Sequence, residues 1–165
     1  NCIDISDNKL IKNAIKLDLI DKDQKLCLDY LLNVYDIIVP KKLPSLPNIE
    51  EQYCRYHDSV VWFKFIEVLK NYYKISEDSV RYFKDSKNNF YWNMFIMKWE
   101  YFNSYCTDLF KIIDKVYEEL GPLINNDKRR YDVNRYPGYL AERFLGYWLK
   151  KNDLNYFEAD AIWIK

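Results

Sequence analysis

Six apolar residues, Phe102, Cys106, Leu109, Ile113, Val116 and Leu120, recur at alternating spacings of four and three. Only an α-helix brings such a series to one face, because about 3.6 residues complete a turn. The spacing predicts the longest helix of the chain here, ended by Gly121-Pro122. A stripe that long cannot remain in water, so other helices or a sheet must cover it.

The rest of the chain offers such partners. Residues 59–73 place Val61, Phe65, Val68, Leu69 and Tyr72 on one helical face. Ser76-Glu77-Asp78 opens another helix through about Lys84, with Ser76 as N-cap and negative charge in the first turn. Residues 23–34 put Leu28, Leu31 and Leu32 on one face behind Asp21 or Asp23 as cap, and residues 49–58 continue as a short helix. A last helix is expected from near Tyr139 to about Lys151. Residues 8–20 have apolar positions at mixed spacing and read as a helix or a strand.

Strand signals are short. Tyr35-Asp36-Ile37-Ile38-Val39-Pro40 is a β-branched run closed by proline, a buried strand leading into the Pro-rich loop Lys41–Asn48. After a turn over Asp85–Asn89, the aromatic run Phe90–Met97 has strand length, with Asn93 inside it. Asn125–Asn134 reads as a polar, basic loop, and Phe157–Ile164 as a final strand. No repeat or linker divides the chain, so a single domain over 1–165 is expected. Its class is α/β, helix-rich, with short strands packed among several helices.

Composition narrows the function classes. Lys plus Arg number 25 and Asp plus Glu 25, a formal net charge of zero. A general nucleic-acid binder needs a basic face to release counterions, so no nucleic acid is expected as partner. Glycine occurs three times, at Gly121, Gly138 and Gly146, which leaves no room for a dinucleotide-binding or Walker loop. His57 is the one histidine, which excludes a His-rich metal cage within the chain. Cys2, Cys27, Cys54 and Cys106 form no C-x-x-C pair and read as reduced thiols. The first residues carry no signal-peptide core, and no stretch reaches the roughly 18 apolar residues of a membrane helix. A cytoplasmic bacterial protein is expected. The chain opens at Asn1 without an initiator Met and closes on apolar residues Ala161–Ile164 before Lys165, so both ends read as cut.

Four places are chemically unusual. Asn93 is an amide inside an apolar run, where it must find hydrogen-bond partners. His57-Asp58 precedes a helix and could bind a metal or phosphate, or act as a base. Arg135 stands just ahead of a helix N-terminus, where guanidinium, amides and dipole can meet an anion. Glu142-Arg143 are adjacent charges inside the apolar run Gly138–Leu149. They point about 100° apart and need not pair with one another. A Glu in an apolar surround has a raised pKa and suits general-base work. Structural alternatives stand beside each: an amide tied to backbone, a surface histidine, a solvated arginine, and an ion pair to another helix.

Three stretches together resemble one bacterial family. They are Asp36-Ile37-Ile38-Val39-Pro40-Lys41-Lys42, then Asn93-Met94-Phe95-Ile96-Met97-Lys98 with Phe102, Tyr105-Cys106 and Leu109-Phe110 after it, and finally Arg135, Gly138-Tyr139-Leu140, Glu142-Arg143-Phe144-Leu145 and Trp148-Leu149. In this order they are similar to the polysaccharide-biosynthesis glycosyltransferases catalogued as domain of unknown function 4422. The resemblance implies the C-terminal part of a GT-A-like nucleotide-diphospho-sugar transferase fold, and so a fragment of a larger glycosyltransferase domain. It implies transfer of a sugar from a nucleotide-sugar donor to a capsular, exopolysaccharide or O-antigen glycan, with a glycan or lipid-linked glycan as acceptor. A divalent cation (Mn or Mg) is implied, with its ligands upstream of this chain. Peripheral association with the inner face of the membrane is implied as well.

On this reading Glu142 is the catalytic carboxylate. Arg135 and Arg143 neutralise phosphate charge, Asn93 bonds a sugar hydroxyl, and His57 with Asp58 reaches the pyrophosphate. Two alternatives stay open: a non-catalytic carbohydrate- or protein-binding module of the same fold, and a purely helical interaction protein.

Overall fold

The computed structural model describes residues 22–124 and 135–160. The expected segment 8–20, the Asn125–Asn134 loop and the end of the expected last strand lie outside the described residues. Chain order is α1 (Lys22–Val34), β1 (Ile37–Pro40), β2 (Leu43–Pro44), α2 (Ile49–Tyr56), α3 (Ser59–Asn71), α4 (Glu77–Asp85), β3 (Asn88–Asn89), β4 (Ile96–Met97), α5 (Trp99–Ile124), α6 (Tyr136–Lys151) and β5 (Tyr156–Ala159). The molecule is thus helix-rich α/β with small sheets, as the patterning predicts.

Capping fixes several starts. Asn48 accepts the Glu51 N–H at 2.8 Å and opens α2. Asp58 accepts the Val60 N–H at 2.9 Å and opens α3. Ser76 accepts the Ser79 N–H at 3.1 Å and opens α4 where expected. Each satisfies a donor that a helix start leaves bare.

β1 is buried along its whole length and is the centre of a three-stranded sheet ordered β4-β1-β5. It pairs antiparallel with β4, Ile37 opposite Met97, and parallel with β5, Ile37 opposite Tyr156 and Pro40 opposite Ala159. A strand covered on both faces reads as a continuous apolar run, which is what Ile37-Ile38-Val39 is. Beyond β1, the Asp36 N–H donates to Asn155 O at 2.8 Å and the Asn155 N–H to Asp36 Oδ2 at 3.0 Å. β2 and β3 form a separate two-stranded ribbon.

α3 and α5 pack against one another, and α6 packs against both. The shared core holds Val61, Trp62, Phe65, Val68 and Leu69 of α3, Tyr105, Leu109, Ile112, Ile113, Val116 and Leu120 of α5, and Leu140, Phe144, Leu145 and Trp148 of α6. Two buried indoles keep their N–H groups bonded: Trp62 donates to Glu50 Oε2 and Trp148 to Asp108 Oδ2, both at 3.0 Å.

Five expectations are corrected. The run Phe90–Met97 is not one strand, because Trp92 and Asn93 adopt φ of 75° and 48° and turn the chain left-handed. Only Ile96–Met97 remains a strand, and Asn88–Asn89, expected in a turn, forms β3. α5 continues past Gly121-Pro122 to Ile124, since a proline in the last turn removes only one helical hydrogen bond. α6 begins at Tyr136, a turn earlier than expected, because Pro137 is tolerated in a first turn where the amides have no helical acceptor. Tyr72 is not on the buried face of α3; it caps the helix C-terminus and is exposed. Among the described residues no helix is long and apolar enough to cross a membrane.

Candidate functional site

The candidate residues meet at the first two turns of α6. Arg143 is the centre, with 2% of its surface exposed. Its Nη1 donates to Glu142 Oε2 at 2.7 Å and to the Tyr139 carbonyl at 3.1 Å, and Nη2 donates to Gln52 Oε1 at 2.9 Å. The rings of Tyr53 and Tyr91 lie against the guanidinium, with centroids 5.3 and 5.0 Å from Cζ. Such contacts replace lost water with charge, dipoles and π-faces. Burial pushes the Arg143 pKa down, and the Glu142 carboxylate opposes that shift. Tyr91 is itself pinned, because its phenol shares a 2.6 Å hydrogen bond with the fully buried Ser45 hydroxyl.

Glu142 departs from its expected setting. Its side chain is 17% exposed, and Oε1 accepts the Trp92 N–H at 3.2 Å while Oε2 accepts from Arg143. The carboxylate therefore faces donors rather than an apolar surround. It also pairs with its own neighbour, not with a charge on another helix. The physical reason is that the Arg143 side chain turns back toward the Tyr139 carbonyl, four residues earlier, and so passes the Glu142 carboxylate.

Asn93 is likewise corrected. It is exposed, not buried in a strand, and its Nδ2 donates to the Gly138 carbonyl at 3.0 Å. Asparagine tolerates the left-handed region better than most residues, whereas Trp92 beside it is strained there by roughly 1–3 kcal/mol. That bend brings the Trp92 amide to Glu142 and ties the Asn93 side chain to the start of α6.

His57 follows the last turn of α2 and stacks on Tyr139, centroids 4.0 Å apart at 24°, and tilts against Tyr53 at 4.8 Å. Asp58, next to it, caps α3 through Oδ1. Arg135 is exposed at the N-cap of α6, where it makes no side-chain cap bond, and its guanidinium lies 5.3 Å from the Tyr139 ring centroid. Arg135, Tyr139, His57, Tyr53 and Arg143 thus form a continuous row. The structure brings Glu142, Arg143, Asn93, Arg135 and His57 to one helix end, with Asp58 adjacent in sequence.

Tyr53, Tyr91, Tyr139, Gln52 and Ser45 escaped the sequence reading. Two of them had a local signal: Tyr53 and His57, and Tyr139 and Arg143, are spaced four apart and so share helix faces. Tyr53 and Tyr136 are buried, and their hydroxyls and Arg143 Nε have no hydrogen-bond partner among the described residues. Burial pushes both phenols up, Tyr136 to about 12, while Arg143 partly offsets the shift at Tyr53.

The chemistry available is that of a partly exposed carboxylate held by an arginine, beside a cation at the positive end of a helix. Metal binding is another matter. Among the described residues no group of three or more His, Cys, Asp or Glu could hold a metal ion. On the resemblance the ligands of the divalent cation lie upstream of this chain, and no step is assigned to it. Cys54 and Cys106 are free thiols.

The chain is similar to a solved apo structure of the WbbM bifunctional glycosyltransferase, with a TM-score of 0.69 and 22% identity. The likeness covers 96% of this chain and 27% of that one, so the chain spans about a quarter of the larger protein and shares its fold there. No curated protein sequence matches the chain. The sequence family described as domain of unknown function (DUF4422) matches residues 11–153. That match runs through β1, the Asn93 turn and the Arg135–Arg143 cluster, and the chain belongs to the DUF4422 family.

Proposed function

We propose that the chain is the C-terminal part of a GT-A-like glycosyltransferase that passes a sugar from a nucleotide-sugar donor to a capsular, exopolysaccharide or O-antigen glycan. The observation that carries this reading is Glu142, held by Arg143 and the Trp92 amide beside the cationic start of α6. The family match and the fold shared with a bifunctional glycosyltransferase support it.

In an inverting transfer, Glu142 takes the proton of the acceptor hydroxyl. The hydroxyl oxygen bonds to the anomeric carbon while the bond to the nucleoside diphosphate breaks, and that group leaves with the electron pair. Arg135 and the N-terminal amides of α6 oppose the charge developing on the leaving phosphate. Arg143, buried and bonded to Glu142, Gln52 and Tyr139, positions the carboxylate rather than meeting phosphate. Asn93 is exposed beside Gly138 and can offer its amide oxygen to a sugar hydroxyl. His57 keeps Tyr139 in place under Arg135. The acceptor is a glycan or lipid-linked glycan reached in the cytoplasm, at the inner face of the membrane.

The test is sugar transfer by the full-length protein with Glu142→Gln. Removing a general base is expected to lower kcat by about 10²–10⁴-fold with donor binding retained. Unchanged turnover removes Glu142 from the chemistry. One observation favours a second reading, a non-catalytic carbohydrate-binding module: both Glu142 oxygens already have donors. Calorimetry showing polysaccharide binding without nucleotide-sugar binding would select it.

A further inference from the structure

Glu142 is held through Arg143, and the guanidinium is not anchored equally on all sides. Nη1 donates within α6, to Glu142 Oε2 at 2.7 Å and to the Tyr139 carbonyl at 3.1 Å. Nη2 donates to Gln52 Oε1 of α2 at 2.9 Å. Among the described residues Gln52 is thus the one hydrogen-bond acceptor that Arg143 meets outside its own helix. The rings of Tyr53 and Tyr91 lie against the guanidinium as well. A ring face attracts a cation without fixing its direction in the plane, whereas a hydrogen bond weakens steeply once it bends.

The Glu142–Arg143 contact needs a fixed direction. Neighbours on a helix point about 100° apart, and this pair meets because the arginine turns back along α6. An arginine that swung away would take with it the shorter of the two bonds on the carboxylate, 2.7 Å against 3.2 Å to the Trp92 amide. α2 is a firm place to anchor it. Asn48 caps that helix, Glu50 accepts the indole N–H of Trp62 from α3 at 3.0 Å, and Ile49 and Tyr53 are fully buried. His57, just after α2, stacks on Tyr139, against which Arg135 lies. The carboxylate and the exposed cation of the site are therefore both referenced to one short helix.

We propose that Gln52 is a positioning residue for Glu142, acting through Arg143. The assignment rests on Glu142 being the general base of sugar transfer.

Two measurements on the full-length protein test it. Gln52→Met removes the acceptor, and Gln52→Asn withdraws it by one methylene. In side-chain arginine NMR the two Nη signals of Arg143 are expected to be separate in the wild type and to exchange at least about tenfold faster in both variants. Gln52→Glu returns an oxygen acceptor to Nη2 and is expected to restore the slow exchange. Turnover is read as release of the nucleoside diphosphate from UDP-glucose, UDP-N-acetylglucosamine, GDP-mannose or dTDP-rhamnose, with water or an added oligosaccharide as acceptor. Gln52→Met and Gln52→Asn are expected to lower kcat about tenfold at unchanged donor KM, since a small misplacement of a reacting group is costly. Added to Glu142→Gln, either is expected to change kcat by less than about twofold, because the effect runs through the carboxylate. Unchanged Nη exchange or unchanged kcat overturns the proposal, and so does a loss that multiplies with that of Glu142→Gln. Turnover indifferent to Glu142→Gln, or absent in the wild type, removes the transfer reading and the positioning role with it, while the Nη exchange still reports whether Gln52 holds Arg143.

Discussion

The two halves of α6 are held in place by different means. From Tyr139 to Arg143 the helix is held by matched polar contacts: a carboxylate, a glutamine, a carbonyl and two tyrosine faces around one guanidinium. From Phe144 to Leu149 every residue is buried and the packing is nearly all apolar. Phe144 stacks parallel to Tyr105, and Gly146 lets Tyr82 and Asn89 come close. The first half depends on each donor meeting its acceptor, the second on shape. The first half should therefore fail when one partner is lost, and the second when volume is added.

The largest expected effect tests the polar half. Arg143→Ala leaves Glu142 and Gln52 without their donor and opens space between two tyrosines. It should cost about 3 kcal/mol in denaturant unfolding. In the double variant Glu142→Gln with Arg143→Ala, the loss should be smaller than the sum of the single losses, because the uncompensated charge is gone. Strict additivity would show that the pair acts independently and would break the contrast.

The next effect tests the apolar half. A Cβ at Gly146 would meet the Tyr82 hydroxyl and stand 3.0 Å from Asn89 Oδ1, so Gly146→Ala should cost about 2 kcal/mol despite its better helix propensity. A stabilised variant would show that this contact relaxes freely. Trp148→Phe keeps most of the ring but removes the N–H bonded to Asp108, and a loss of about 1.5 kcal/mol is expected by the same unfolding measurement. Ser45→Ala removes the bond that pins Tyr91 against Arg143. It should cost about 1 kcal/mol and lower any Glu142-dependent turnover through Tyr91. Lost stability with unchanged turnover would confine Ser45 to packing.

Much of the frame was legible. The alternating spacing of Phe102 to Leu120 marks α5, Ser76-Glu77-Asp78 starts α4, and Ile37–Pro40 is the buried strand. These signals lie within a turn or a short run, where periodicity and capping act locally. The aromatic run after Phe90 misled because two left-handed residues, Trp92 and Asn93, interrupt it. Strand composition says nothing of φ at single positions. Arg135, Glu142 and Arg143 stood out as charges beside or within an apolar run, but whether Arg143 would face phosphate or Glu142 was not written there.

What the sequence by itself determined is the set of helices, the Ser76 cap of α4, the central strand and the shortlist of residues with chemistry. Tertiary structure alone decided that Gln52 meets Arg143 across 91 positions, that the Trp92 amide meets Glu142 across 50, and that Ser45 meets Tyr91 across 46. Local elements follow from interactions between near neighbours along the chain. Contacts at such separations exist only once packing has closed the loops between them, and no spacing rule records which side chains then meet.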